Sequence, residues 1–250
     1  MNPANDATPR FLENIGITHG MRILDLGCGP GDMTRLVAHL VGSTGTVVGV
    51  DRDEGVLTSA RAQQKEAGSS AIAYMVGDLS AALPPQQPFD AIVGRRVLMY
   101  LPDPFATLAR LLHNLKPGGL VAFQEHAATG MPVSTAPAPL HTQVHRWMWG
   151  TVAREGGDIS MGLTLSALLR RAGLIVEQVR AEAVLFDPDA PSALAQTVRA
   201  MMPRIVMHMV ATEAEIDVET LDQRLEQERR NIDAALLWDM AYFVSARKPE

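Results

Sequence analysis

The residues with the clearest chemical pattern lie in Ile23-Leu24-Asp25-Leu26-Gly27-Cys28-Gly29-Pro30-Gly31-Asp32, where glycine recurs at every second position after a short apolar run. Glycine allows positive φ and lets a ligand approach without a Cβ between them. Met33, Leu36, Val37 and Leu40 follow at amphipathic spacing. The pattern therefore predicts a strand, a tight turn and a helix N-terminus, whose unpaired N–H groups and partial positive charge suit a nucleotide-like ligand. The Gly27-x-Gly29-x-Gly31 spacing is one residue short of the dinucleotide pattern G-x-G-x-x-G. Asp51 ends the next apolar run, where a carboxylate can accept both hydroxyls of a ribose. Asp78, after Gly77, ends the third run, where a carboxylate can accept from an adenine amino group. All three features fall at carboxyl ends of strands, the ligand edge of an open α/β sheet.

A second group of residues suits proton transfer or acceptor binding. Arg96, Met99 and Tyr100 follow the fourth strand, and Glu125-His126 closes the fifth. A nucleophile with a removable proton benefits from such a His, Glu or Tyr. The competing reading pairs Glu125 with an arginine such as Arg96 and leaves His126 on an exposed loop. His141 and His145 share a helix face at i, i+4, but no third ligand at a fitting spacing completes a metal site, so none is expected. Trp147 and Trp149, at i, i+2, cannot share a face. One can pack in the core while the other lines an acceptor pocket; core packing for both is the alternative. Cys28 lacks a basic partner and reads as a small packed residue. Met201, Met202, Met207 and Met209 form an adaptable surface, and the alternating charges of 213–230 read as a solvated helix face.

The elements that must position these groups are legible from period and punctuation. Phe11, Leu12 and Ile15 have helical spacing. Strands are expected at about 21–26, 46–51, 71–76, 89–94, 120–125, 174–186 and 239–248. Helices are expected at about 31–41, 53–67, 104–115, 141–155, 164–172, 192–210 and 213–235. Gly68-Ser69-Ser70 stops the second of these helices, Pro84, Pro85 and Pro88 mark a loop, and Lys116-Pro117-Gly118-Gly119 separates the third from its strand. Strands alternating with helices mean a doubly wound parallel sheet of the α/β class. One domain over 1–250 is expected, with helical cap insertions at about 127–163 and 187–237.

Composition excludes several functions. The chain has 250 residues, 47% hydrophobic and 20% charged, with a net charge of -6 and no clustered basic run, so nucleic acid is not an expected partner. No apolar stretch approaches the ~18 residues needed to span a membrane. The first ten residues lack the apolar segment of a secretory leader. The single cysteine permits no intrachain disulfide and fits a cytoplasmic location.

Taken together, the glycine loop, Asp51, Gly77-Asp78 and the Leu115-Lys116-Pro117-Gly118-Gly119 turn resemble a class I S-adenosylmethionine-dependent methyltransferase. The resemblance is nearest to small-molecule enzymes of the ubiquinone/menaquinone-biosynthesis type, over about 20–126. It implies a seven-stranded, mostly parallel Rossmann-like sheet with an antiparallel last strand. It implies that Asp25, Gly27, Gly29 and Gly31 surround the methionine part of S-adenosylmethionine, Asp51 the ribose, and Gly77 and Asp78 the adenine. Arg52 and Leu79 would flank the adenine ring, and Arg95 would lie near the methionine end. Arg96, Met99, His145, Trp147 and Trp149 are then the acceptor-binding candidates, and His126, Glu125 and Tyr100 the catalytic ones. The implied reaction is in-line methyl transfer to an O, N or C atom of a small, largely apolar organic acceptor, in secondary metabolism; the partners are that acceptor and, as a homodimer, a second copy. Two alternatives remain: a protein of this fold that binds the cofactor without methylating, and a dinucleotide oxidoreductase, which the loop spacing opposes. About twenty residues precede the first strand, fewer than related lids use. A lid would then come from 187–237, or the pocket is more open.

Overall fold

The computed structural model describes residues 7–67, 72–81, 87–128, 130, 132–189 and 191–250. The elements run α1 (Thr8–Asn14), β1 (Arg22–Leu26), α2 (Asp32–Val41), β2 (Thr46–Asp51), α3 (Glu54–Ala67), β3 (Ile72–Val76), β4 (Phe89–Arg95), α4 (Pro104–Leu111) and β5 (Leu115–His126). They continue with α5 (Pro139–Arg154), α6 (Met161–Arg171), β6 (Ile175–Phe186), α7 (Leu194–Met207), α8 (Glu213–Ile216), α9 (Val218–Ile232) and β7 (Leu236–Arg247). The seven strands form one sheet in the order β3-β2-β1-β4-β5-β7-β6. β3, β2, β1, β4 and β5 are parallel, with Asp25 opposite Gly49 and Val93, and Gly94 opposite Phe123. The central strands are apolar on both faces, as a sheet covered by helices on both sides requires: Ile23, Leu24, Val47, Val50, Ile92, Val93, Val121 and Phe123 are all buried.

The chain divides into two compact units. Among the described residues, the sheet unit spans Ala7–Glu125, Met161–Arg180 and Tyr242–Glu250, and the helical unit His126–Ser160 and Ala181–Ala241. The core of the helical unit gathers Val144 and Trp147 of α5, Leu194, Val198 and Ile205 of α7, Leu221 and Leu225 of α9, and Trp238 of β7.

Several boundaries differ from the sequence expectation. Lys116-Pro117-Gly118-Gly119 lies inside β5 rather than before it, because the strand is extended by pairing with β7: Gly118 N–H donates to Lys248 O at 3.1 Å and Lys248 N–H to Gly119 O at 2.9 Å. The helix expected to reach 115 ends at Leu111 and tightens into a 3-10 turn, Leu112–Asn114. The helix expected over 213–235 is two helices, broken at Asp217, whose φ is +43°. Thr212 and Glu215 close a capping box on the first of them. β7 begins at Leu236, three residues early, which places Trp238 and Asp239 within the strand. The Gly68-Ser69-Ser70 stop, residue 71, Pro84 and Pro85 lie outside the described residues.

Candidate functional site

The glycine loop closes the C-terminal end of β1 through backbone conformation. Gly27, Gly29 and Gly31 have φ of +59°, +52° and +84°. Gly31 is the N-cap of α2, and its N–H donates to Cys28 O at 3.0 Å. A Cβ on Gly27 would stand 2.5 Å from Val97 Cγ2, so the loop lies directly against the chain leaving β4. The corresponding position on Gly29 looks onto open space.

Asp51 fastens this loop to β2. Its Oδ2 accepts from Gly29 N–H at 2.9 Å and its Oδ1 from Asp53 N–H at 3.1 Å. A carboxylate offers about four acceptor sites, so both oxygens keep capacity for the hydroxyls of a ligand. Asp53 in turn caps α3, accepting from Gly55 N–H at 2.8 Å. Gly77 N–H donates to Asp51 O at 3.0 Å, which brings the ends of β2 and β3 together. Asp78 is exposed there, its Oδ1 accepting from Ser80 N–H at 2.8 Å. Arg52 is exposed, and Leu79 is buried with its carbonyl held by Arg110 at 2.8 Å. Arg95 approaches Asp32, the first residue of α2, at 3.8 Å, beside the glycine loop. An open glycine cradle flanked by carboxylates with spare acceptor capacity fits the amino-acid and ribose parts of S-adenosylmethionine.

Asp25 is fully buried under this loop. Its Oδ2 accepts from Thr34 Oγ1–H at 2.6 Å, and its Oδ1 has no hydrogen-bond partner among the described residues. Burial pushes its carboxyl up to about 7, against the opposing pull of Thr34 and Arg95. Cys28 is buried as well, and burial pushes its thiol up, consistent with packing and not with a nucleophile.

Glu125 performs a duty the sequence did not announce. It is fully buried, and its Oε1 accepts from Val97 N–H at 3.0 Å and Leu98 N–H at 2.8 Å. Its direct partners are thus backbone amides rather than the Arg96 side chain, and burial pushes the carboxyl up to about 7. It holds the turn that presents 96–100. At that turn Arg96 is exposed with φ +52°, its N–H tied to Gln124 O at 2.8 Å. Met99 is only 2% exposed, whereas Tyr100 is 45% exposed.

In the helical unit, His126 Nδ1 lies 3.1 Å from Asp239 Oδ2. Asp239 is 5% exposed, and its Oδ1 accepts from Met240 N–H at 2.7 Å. His141 is buried, with Nδ1 2.6 Å from Glu228 Oε2. Glu228 also accepts from the backbone N–H of Leu140 and His141, at 2.8 and 2.9 Å. His145 is buried edge-on to Trp238, ring centroids 5.2 Å apart, with Trp149 6.2 Å away. Burial lowers the pKa of both histidines. Trp147 packs into the core while Trp149 is half-buried, which separates the two as their spacing requires. No group of three metal-ligating side chains occurs among the described residues. Sequence reasoning missed Asp239 and Glu228: each partners a histidine from a distant segment, and only strand register or helix packing reveals it.

Residues 17–155 match the family model described as a methyltransferase domain. The chain is 38% identical over 104 residues to the aklanonic acid methyltransferase DauC of Streptomyces sp. (strain C5), covering 42% of this chain and 47% of that protein. It is 28% identical over 179 residues to the demethylmenaquinone methyltransferase of Lactococcus lactis, covering 66% of this chain and 70% of that one. It thus spans about half the length of the first relative and more of the second. Among solved structures, the S-adenosylmethionine-dependent methyltransferase from Mesorhizobium loti superposes with a TM-score of 0.57 at 22% identity, covering 97% of both chains. The sheet order, the glycine loop and the matched segment agree: this chain belongs to the methyltransferase domain family.

Proposed function

We propose that the protein binds S-adenosylmethionine at the carboxyl edge of β1–β3 and transfers its methyl group to a small, largely apolar organic acceptor by in-line displacement. The observation that carries this reading is Asp51, which fixes the glycine loop through Gly29 while keeping acceptor capacity for a ribose. In this reading Asp25, Gly27, Gly29, Gly31 and Arg95 border the methionine part, and Arg52, Gly77, Asp78 and Leu79 border the adenine. The electrophile comes with the cofactor; the protein supplies position and proton removal. The small molecules in the relatives' names, aklanonic acid, demethylmenaquinone and trans-aconitate, support a small organic acceptor, which this reading places in secondary metabolism. The single buried thiol suits the cytoplasm.

Calorimetry with S-adenosylhomocysteine and NAD is the test. S-adenosylhomocysteine should bind and NAD should not. Asp51→Ala should weaken the former by about 1.5–3 kcal/mol, the scale of hydrogen bonds to a charged group. Preference for NAD, or unchanged affinity in Asp51→Ala, refutes the assignment. Binding without methyl release across a panel of phenols, enols, amines and carboxylic acids would mark a non-methylating member of the fold.

A further inference from the structure

Val97 is the first buried residue of the chain that leaves β4, and two glycines make room for it. A Cβ on Gly27 would lie 2.5 Å from its Cγ2 and 3.0 Å from its Cβ. A Cβ on Gly94 would lie 2.8 Å from its Cγ1. Gly27 directly follows β1, and Gly94 stands in β4 opposite Leu26, the last residue of β1. Val97 is thus a wedge at the ends of two neighbouring strands, pressed against the first residue of the glycine loop.

Three successive amides fix this wedge to the end of β5. Arg96 N–H donates to Gln124 O at 2.8 Å, and Val97 and Leu98 N–H donate to Glu125 Oε1 at 3.0 and 2.8 Å. Gln124 is held in turn, its Oε1 accepting from Thr8 Oγ1–H at 2.7 Å. The turn needs such anchorage. Arg96 has φ +52°, a conformation that a side chain disfavours and that persists only where neighbours over-determine it. Val97 is β-branched with restricted χ1, so fixing its backbone fixes the methyl groups that meet Gly27. As a source of stability Glu125 is a poor choice, because it is fully buried and its Oε2 has no hydrogen-bond partner among the described residues. As a clamp on two adjacent amides a carboxyl is well suited.

We propose that Glu125 is a positioning residue for the methyl donor: through Val97 it sets the glycine loop at Gly27, and with it the grip on the amino-acid part of S-adenosylmethionine. This rests on the methyl-transfer reading above, and it gives Glu125 donor placement in place of proton transfer. The nucleoside part is held differently. Asp51 reaches Gly29 from β2, and Asp78 follows β3. Loss of the clamp should therefore weaken the hold on the methionine end and leave the nucleoside end nearly intact.

The test uses the full chain and three variants. Glu125→Met removes the clamp at similar volume, Glu125→Gln keeps an acceptor for the two amides, and Val97→Ala removes the wedge. Hydrogen exchange without ligand reads the loop itself. Glu125→Met should speed exchange of the Cys28 and Gly29 amides at least tenfold, while amides within β2 change less than threefold; unchanged loop exchange overturns the proposal. Ligand-observed NMR then compares S-adenosylhomocysteine with adenosine, which lacks the amino-acid part. Glu125→Met and Val97→Ala should raise the Kd of the former at least tenfold and of the latter less than threefold, and Glu125→Gln should stay within threefold of wild type for both. Val97→Ala carries the same comparison if Glu125→Met does not fold. Equal losses for the two ligands would make Glu125 a support of the whole sheet edge, and a Glu125→Gln as weak as Glu125→Met would deny the clamp; either result overturns the proposal. A wild-type protein that binds no S-adenosylhomocysteine overturns the methyl-transfer reading and the donor role with it, while the exchange data still decide whether Glu125 holds the loop.

Discussion

Asp25 and Glu125 are carboxyls placed where ionisation is costly. Both are fully buried, and burial pushes each up to about 7. Each engages one oxygen and leaves the other without a partner among the described residues. In the unfolded chain such groups titrate near 4. The folded state therefore binds more protons between about pH 4 and 7, and stability falls as pH rises through that window. Urea unfolding should show this decline, levelling off above about pH 7. Glu125→Gln, which keeps an acceptor for Val97 and Leu98, should remove roughly 1–3 kcal/mol of the pH dependence. A slope equal to wild type would show that Glu125 is ionised throughout. Arg229 poses the opposite case. It is 4% exposed, its Nε and Nη1 have no hydrogen-bond partner among the described residues, and burial lowers its pKa. Asp222 and Glu226 act on it electrostatically, yet replacing buried ionic groups with apolar ones of similar volume is often neutral or stabilising by about 1–4 kcal/mol. Arg229→Met is expected to hold or raise the Tm. A loss above about 1 kcal/mol would mean that the cation is compensated after all.

Strands and helices were legible wherever the signal is local. The run before Gly27 and the apolar stretch ending at Asp51 each declare themselves within a few residues. At the start of α4 the cap is Asp103, accepting from Ala106 N–H at 2.9 Å. Elements whose limits depend on partners were misread. Pro117 and Gly118 look like a break, yet they extend β5 because β7 supplies hydrogen bonds there. The long charged helix of 213–235 breaks at Asp217, where composition carries no glycine or proline to mark it. Its last turn offers a test of helix-end physics. Asp233, the exposed C-cap of α9, has φ +52°, a conformation that glycine adopts without a Cβ penalty. Asp233→Gly should therefore stabilise the protein by about 0.5–1 kcal/mol, seen as a higher urea midpoint at unchanged m-value. A lower midpoint would indicate that the Asp233 side chain makes a contact worth more than the strain.

Across the whole chain, legibility tracks how far apart the interacting residues lie. Asp51 and Asp78 sit at the ends of successive strands, each flagged by its own neighbours, and both fall with the glycine loop inside the matched segment 17–155. The helical unit is held by pairs that no local pattern predicts, among them His141 and Glu228, 87 residues apart. Glu228 joins α9 to the start of α5 in two ways: it accepts from the N–H groups of Leu140 and His141, and its Oε2 lies 2.6 Å from Nδ1 of the buried His141 imidazole. A negative charge at a helix N-terminus is stabilising in itself. Its removal would leave the buried His141 Nδ1–H and the first amides of α5 unpaired. Glu228→Ala is accordingly expected to cost about 2–4 kcal/mol, the range for stranding buried partners of a charged group. Hydrogen exchange should localise the loss to α5 and α9 of the helical unit. Glu228→Gln, which keeps one acceptor and loses the charge, should fall between Ala and wild type. If Glu228→Ala costs less than about 0.5 kcal/mol, or if Gln and Ala are equivalent, then apolar packing of Val144, Trp147, Leu221 and Leu225 alone holds these helices together and the His141–Glu228 pair contributes nothing.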